Sequence, residues 1–305
     1  MDVPLQLHDP GTSPGSERDD APAGPTPLLQ AKDYAAPSVF RPENMLREAR
    51  RQKRLTIEDV PEICVLDPDG DLVRQLLADK RAEPCRGWAC YHTDLYLVEL
   101  EGESIGIVGC AVGASFAVLV AEQLFASGCR LLISLTSAGQ IAPAPSEHRE
   151  SAPYFVLIDR ALRDEGTSHH YLPPSIFAQA DPVLIGMVMG GLMMGGLAGG
   201  ALAGGALTVL RGATWTTDAP FRETAAAIEA ARAHGVLAVE MEAAALYAFA
   251  QARGKPVICF AHVTNQMAQI DGDFEKGDAN GAHAALDLLA ATALAWRADG
   301  RRSGP

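Results

Sequence analysis

Paired cysteines are what this sequence most plainly lacks. Its six, Cys64, Cys85, Cys90, Cys110, Cys129 and Cys259, include no CxxC spacing and no paired framework. A disulfide scaffold and a cysteine metal site are therefore not expected, and a reducing, cytoplasmic setting is. Positive charge is also short, with 25 Lys and Arg against 38 Asp and Glu, for a formal net charge of −13. That balance speaks against a nucleic-acid groove, which needs a basic face to meet phosphates. It leaves room for a locally basic pocket that meets one small anion. The N-terminal stretch has no basic segment followed by an apolar core, so no signal peptide is expected.

The chain has 305 residues, 48% of them hydrophobic, enough for one large domain or two small ones. Residues 1–36 are rich in Pro, Gly, Ser and Asp and are expected to be a disordered tail, because they bury too little to offset ordering entropy. Residues 37–298 read as a single domain and 299–305 as a short charged tail. The basic cluster Arg50, Arg51, Lys53 and Arg54 reads as a solvated helix face.

Within the domain, apolar strand-like runs alternate with helical ones. Residues 63–66 lead through an acidic Gly turn into a helix, and residues 95–100 and 105–108 flank the turn Glu101-Gly102-Glu103. Residues 131–135 end in Thr136-Ser137-Ala138-Gly139, and residues 256–263 end in Thr264-Asn265. This order predicts an α/β domain, a three-layer α/β/α sandwich around a central mixed sheet, with ligand chemistry at strand ends. Residues 183–210 carry no charge and contain four glycine pairs. They are expected to be a soluble helix or a subunit contact, with membrane contact or a mobile lid as the lesser alternatives.

The stretch Val239-Glu240-Met241-Glu242-Ala243-Ala244-Ala245 follows a short apolar run and opens an alanine-rich one. It predicts a buried strand that delivers two carboxylates to a helix N-terminus, where partial positive charge makes them tolerable. An acidic first turn on an ordinary helix accounts for the spacing equally well. Three further stretches matter: Asp67-Pro68-Asp69-Gly70-Asp71-Leu72-Val73-Arg74; Gly166-Thr167-Ser168-His169-His170-Tyr171; and Thr216-Thr217-Asp218-Ala219-Pro220-Phe221-Arg222-Glu223-Thr224. In the first, a backbone N–H and a guanidinium can meet on one anion, or the turn merely joins strand to helix with an exposed Arg. In the third, Thr217 or Asp218 is expected to cap a helix with Pro220 inside its start, running to His234. The paired histidines have no carboxylate or cysteine at ligand spacing, so no metal is expected.

As a set, these stretches resemble the nucleoside phosphorylase family, which contains uridine phosphorylases, hexameric purine nucleoside phosphorylases and adenosylhomocysteine-type nucleosidases. The resemblance runs from about residue 44 to 278. It implies that Met241 packs on a ribose and that Glu242, with Glu240 beside it, accepts the 2′- and 3′-hydroxyls. It places Gly70, Arg74 and Ser137 on phosphate, Gly113 and Gly139 in the turns shaping the pocket, and Arg222 and Asn265 against the base. The sequence departs from the pattern on the phosphate side and on the base side. Ser134 and Thr136 stand where the family has Arg and Gly, which weakens the phosphate side. Asn265 stands where purine enzymes and nucleosidases have an Asp general acid, and an amide has no proton to titrate.

The resemblance thus implies phosphorolysis of a nucleoside, with uridine favoured, to free base and ribose 1-phosphate. Phosphate would be co-substrate, with no cofactor. A nucleosidase using water and an inactive nucleoside-binding homologue are the alternatives. The expected partners are nucleoside and phosphate, without nucleic acid or membrane, in a homodimer or hexamer.

Overall fold

In a computed structural model the described residues are 26–300, apart from 31, 57, 143–153, 195–200, 203–204, 268–275 and 277. Most of the expected tail and the final segment, residues 1–25 and 301–305, therefore lie outside the described residues. Lys32, near the expected end of that tail, already touches the domain, donating to the carbonyl of His169 at 3.1 Å.

The chain begins its regular structure with α1 (Pro42–Lys53), then β1 (Ile63–Asp67), α2 (Asp71–Ala78), β2 (Ala82–Pro84), β3 (Tyr96–Leu100) and β4 (Glu103–Gly109). It continues through α3 (Ala114–Ala126), β5 (Leu131–Gln140), β6 (Tyr154–Asp164), β7 (Phe177–Gln179), α4 (Pro182–Met194), β8 (Ala201–Leu202), β9 (Gly205–Ala206) and β10 (Val209–Thr217). It closes with α5 (Ala225–Ala233), β11 (Val236–Glu240), α6 (Ala243–Arg253), β12 (Val257–Asn265) and α7 (Ala282–Ala298).

The central mixed sheet expected from the alternation is present. Strand β1 is buried along its whole length and pairs in parallel with β4 on one side and β5 on the other. A continuous apolar run is what a parallel strand covered on both faces requires. Strands β3 and β4 form an antiparallel hairpin through Glu101 and Gly102, both at positive φ, a turn whose twist suits neighbouring strands.

Beyond β5 the sheet closes on itself. Strand β5 pairs with β12, β12 with β6, β6 with β10, β10 with β11, and β11 returns to β5. The closing pairs are Ala238 with Gln140 and Val239 with Gly139. Five strands thus form a ring, from which β1, β4, β3 and β2 extend as an open sheet. Helices α3 and α6 pack together, with α1 on α3, while α4 and α2 pack on α7.

Two expectations are corrected. The helix foreseen from Thr217 starts later: β10 runs through Thr217, a 3-10 turn covers Pro220–Arg222, and α5 begins at Ala225. Its cap is Thr224, whose hydroxyl accepts from the Ala227 N–H. The early proline shapes the turn and not the helix. Residues 154–158 read from the sequence as a strand; the observed β6 starts there and runs on to Asp164, because β10 pairs with it along that length.

In the uncharged stretch 183–210, α4 lies against α7. A Cβ at Gly191 would stand 2.4 Å from the Cβ of Ala295, so this glycine sets how closely the two helices approach. Leu184, Ile185, Val188 and Leu192 are buried there. Among the described residues, no helix is long and apolar enough to cross a membrane.

Candidate functional site

The ring closure brings the ends of β5, β11 and β12 together. Gly139 is in close packing with Val239, Met267 and Asn265; a Cβ at this position would lie 3.1–3.3 Å from their atoms. Around it opens a cavity of about 530 Å³ lined by Ser137, Ala138, Gly139, Pro220, Phe221, Glu223, Val239, Glu240, Met241, Asn265 and Met267. Its size is that of a small-molecule site.

Of the two carboxylates at the start of α6, Glu240 lines this cavity and Glu242 is absent from its lining. The apolar face of β11 carries Glu240 inward, opposite Thr216 of the parallel strand β10. One oxygen of Glu240 accepts from Thr214 at 3.1 Å and Thr216 at 2.5 Å; the other accepts from the peptide nitrogens of Glu242 and Ala243, each at 2.7 Å. These last donors belong to the first turn of α6, which intrahelical bonds cannot satisfy. Glu240 is thus the capping group of α6, with both oxygens occupied.

Glu242 is 1% exposed and reaches away from that cap to the turn between β4 and α3, where the Gly113 N–H donates to it at 2.7 Å. The Met241 N–H donates to its second oxygen at 3.3 Å. Gly113 holds φ at +88°, which a residue with a Cβ rarely adopts. Burial, and then the charge of Glu240, push the Glu242 carboxyl up to about 8. Met241 covers it on the cavity side, as the neighbour in sequence that does line the wall.

Asn265 ends β12 at the cavity. Its Oδ1 accepts from the Met267 N–H at 2.9 Å, and a peptide nitrogen can only donate, so the amide orientation is defined. The NH2 group faces the Ala138 carbonyl at 3.4 Å and the Thr264 hydroxyl at 3.3 Å, both long contacts.

The structure does not bring every expected residue to this cavity. Arg222 is exposed and absent from the lining, while its neighbour Glu223 is half-buried in it and its carboxyl is raised by desolvation. Arg211 pairs with Asp159 at 3.0 Å and stays out of the site. In the Gly166–Tyr171 segment, Ser168 takes the Arg163 Nε at 2.8 Å, and Arg163 also donates to Pro173, Ser175 and Leu172. That segment is a bonded corner of the fold. Among the described residues, no group of three or more His, Cys, Asp or Glu is placed to hold a metal ion.

The sequence matches the family model described as the phosphorylase superfamily over residues 62–297. The chain belongs to the phosphorylase superfamily. No curated protein matches its sequence. Among solved structures, this superfamily member is similar to a uridine phosphorylase from Vibrio fischeri ES114 solved with 6-hydroxy-1-naphthoic acid. The TM-score is 0.60 at 19% identity, covering 79% of this chain and 92% of that one. It is similar to a 5′-methylthioadenosine/S-adenosyl homocysteine nucleosidase from Campylobacter jejuni, with TM-score 0.59 and 14% identity over 77% of this chain and 99% of that one. It is also similar to a purine nucleoside phosphorylase from Toxoplasma gondii in complex with immucillin-H, with TM-score 0.59 and 15% identity over 79% and 93%. Identities this low establish the shared fold.

Beside the main cavity, the superfamily member's acidic turn adjoins it at Ser137. Gly70 is the N-cap of α2 at φ +75°. Asp67 caps the same helix start, accepting from Gly70 N at 3.1 Å and Val73 N at 3.0 Å; burial raises its carboxyl to about 6. Arg74 is largely exposed and donates to Asp71 at 2.5 Å and to the Asp69 carbonyl at 2.8 Å. Lys276 bridges Asp69 at 3.0 Å and Asp71 at 2.5 Å. Sequence reading missed Glu223, Asp69 and Lys276 as site residues. Glu223 was discoverable as the acidic neighbour of Arg222; Lys276 carries no local signal, because it meets its partners across about 200 residues of chain.

Proposed function

We propose that the protein cleaves the N-glycosidic bond of a ribonucleoside whose base presents a ring N–H beside a carbonyl, as uracil and the 6-oxopurines do. The observation that carries this reading is that Glu223, Asn265 and Met241 line one cavity. A carboxylate accepts the ring N–H, and the Asn265 NH2, with its Oδ1 already held by Met267, donates to the carbonyl. Cytosine and adenine present an acceptor where that N–H stands, which leaves a buried acceptor facing an acceptor.

Met241 packs on the sugar in this reading, and Glu242 takes the ribose hydroxyls in exchange for the Gly113 amide. The bond breaks through an oxocarbenium-like state, and hydrogen bonds to the base carbonyl stabilise the departing base without a titrating group at Asn265. With phosphate as nucleophile, held by Gly70, Arg74 and Ser137, the reaction is the phosphorolysis that the sequence implies. Water as nucleophile is favoured by Asp69, whose carboxylate accepts from the Ser137 N–H at 3.2 Å. Phe221, 100% exposed at the cavity rim, supports a homodimer or hexamer in which a neighbouring subunit covers that ring.

The test is base release from uridine, inosine, guanosine, cytidine and adenosine. Release from the first three and not the last two is expected. Equal release from all five removes the assigned roles of Glu223 and Asn265, and release from none removes the enzymatic reading. Light scattering on the same preparation reads the assembly.

A further inference from the structure

We infer that Asp69 fills the phosphate position with the chain's own carboxylate, so that water and not phosphate attacks the sugar; this rests on the nucleoside-cleaving reading above.

Ser137 is the residue shared by the nucleoside cavity and the acidic turn. Its peptide N–H lies within β5, at the wall the two share. That N–H already donates to the Asp69 carboxylate at 3.2 Å. The two cations nearby are likewise engaged. Lys276 spans Asp69 and Asp71, and Arg74 is held by Asp71 and the Asp69 carbonyl. At the start of α2, Gly70 N and Val73 N both donate to Asp67. The Ser137 N–H, Lys276 and Arg74 thus all serve acceptors of the same acidic turn.

The space agrees with the bonding. Between Asp67, Asp69, Thr136, Ser137, His262 and Lys276 only about 20 Å³ remains. That holds one water, which needs roughly 10–15 Å³, and does not hold a phosphate. Two buried polar atoms near this wall lack a partner, Ser134 Oγ and His262 Nε2. Ser134 is also the position where the family resemblance calls for Arg. A phosphate dianion entering here would face Asp67, Asp69 and Asp71 against only Arg74 and Lys276, and like charges in a water-poor site repel.

The hydrolytic step balances without a co-reactant. The C1′–N bond breaks, and its electron pair leaves with the base, which takes up a proton. The C1′–O bond forms with water, which gives a proton up. The products are free ribose and free base.

The test uses the full chain and compares it with Asp69→Ala, which opens the position, and Asp69→Asn, which keeps its shape and removes its charge. Inorganic phosphate binding is measured by titration calorimetry, and products from uridine and inosine are resolved with and without phosphate. The wild type is expected to bind phosphate immeasurably and to release base at one rate in both conditions, with ribose as the sugar product. Asp69→Ala is expected to gain phosphate binding by at least tenfold, as Ser137, Lys276 and Arg74 become available.

Ribose 1-phosphate from the wild type, or a rate that rises with phosphate, overturns the inference. Phosphate binding by the wild type as tight as by Asp69→Ala overturns it as well. If Asp69→Ala does not fold, Asp69→Asn and the wild type carry the same comparison. If no nucleoside releases base, the catalytic reading has failed, and the calorimetry alone still decides whether Asp69 fills the anion position.

Discussion

The Gly113 amide donates to the Glu242 carboxylate at 2.7 Å and so joins two turns 129 residues apart in the chain. One turn leaves β4 and the other enters α6. The bond holds a buried carboxyl behind Met241, which lines the cavity. Glu242→Gln keeps the shape and loses the charge. Measured above pH 8, where this carboxyl is ionised, the change is expected to weaken ribonucleoside binding by about 1.5–3 kcal/mol, the usual worth of hydrogen bonds to a charged group. Unchanged affinity in a folded variant, measured by calorimetry, removes Glu242 from the sugar site.

The same carboxyl predicts a pH signature. Its folded-state value is raised from 4.5 to about 8, so the folded chain keeps its proton while the unfolded chain releases it. As pH rises through that window the wild type loses stability, and the loss is complete above about 8. Glu242→Gln has no proton to hold, so its stability advantage over the wild type is expected to widen from pH 4.5 to 8. Parallel denaturation curves across that range would falsify the raised value.

Glu240 should behave as a structural residue. It accepts from two threonine hydroxyls and two peptide nitrogens, all buried, and removing it strands those donors. Glu240→Ala is expected to cost about 3–5 kcal/mol of stability, as breaking a buried charged network does. A variant that melts with the wild type and yet loses substrate affinity would show instead that Glu240 acts on the ligand.

At the base edge, Arg222 and Glu223 separate cleanly. Arg222→Ala removes an exposed side chain and is expected to change kcat/KM less than about threefold, within the ordinary range of surface substitutions. Glu223→Gln replaces an acceptor by an amide that can also donate, and is expected to lower kcat/KM for uridine or inosine while raising that for cytidine and adenosine. The reverse pattern, with Arg222→Ala the damaging change, would return the base-reading role to the guanidinium.

His262 lies on Phe155 with ring centroids 4.4 Å apart and nearly parallel. Burial, and then Lys276, lower its pKa from 6.5 to about 4. The folded chain keeps this imidazole neutral while the unfolded chain takes up a proton, so stability is full above about 6.5 and falls as pH drops toward 4. His262→Gln should flatten that acid limb in thermal melts taken from pH 7 to 4. An unchanged acid limb would assign the loss to other groups.

The alternation of apolar runs was enough to foresee a mixed central sheet, because a buried parallel strand such as residues 63–67 must be apolar at every position. The Glu240–Glu242 pair and the strand-end location of Asn265 were likewise legible, since each depends on local backbone chemistry; β5, expected to end at residue 135, runs through Ser137 to Gln140 because β12 and β11 pair with it there. The start of α5 was misread because Pro220 fits equally well in a helix start or a 3-10 turn. Only the pairing of β10 with its neighbours through Thr217 selected the turn.

Local sequence thus determined the elements, the capping carboxylates and the family. Tertiary structure decided what the side chains face. Val239 and Gly139, paired by the ring closure, both line the cavity, which includes Glu223 and leaves Arg222 outside. Long-range contact put Lys276 on Asp69 and Asp69 on Ser137, across 207 and 68 residues. Hydrogen-bond capacity is a property of each residue, but whether a donor is free for a ligand depends on which distant acceptor the fold delivers to it.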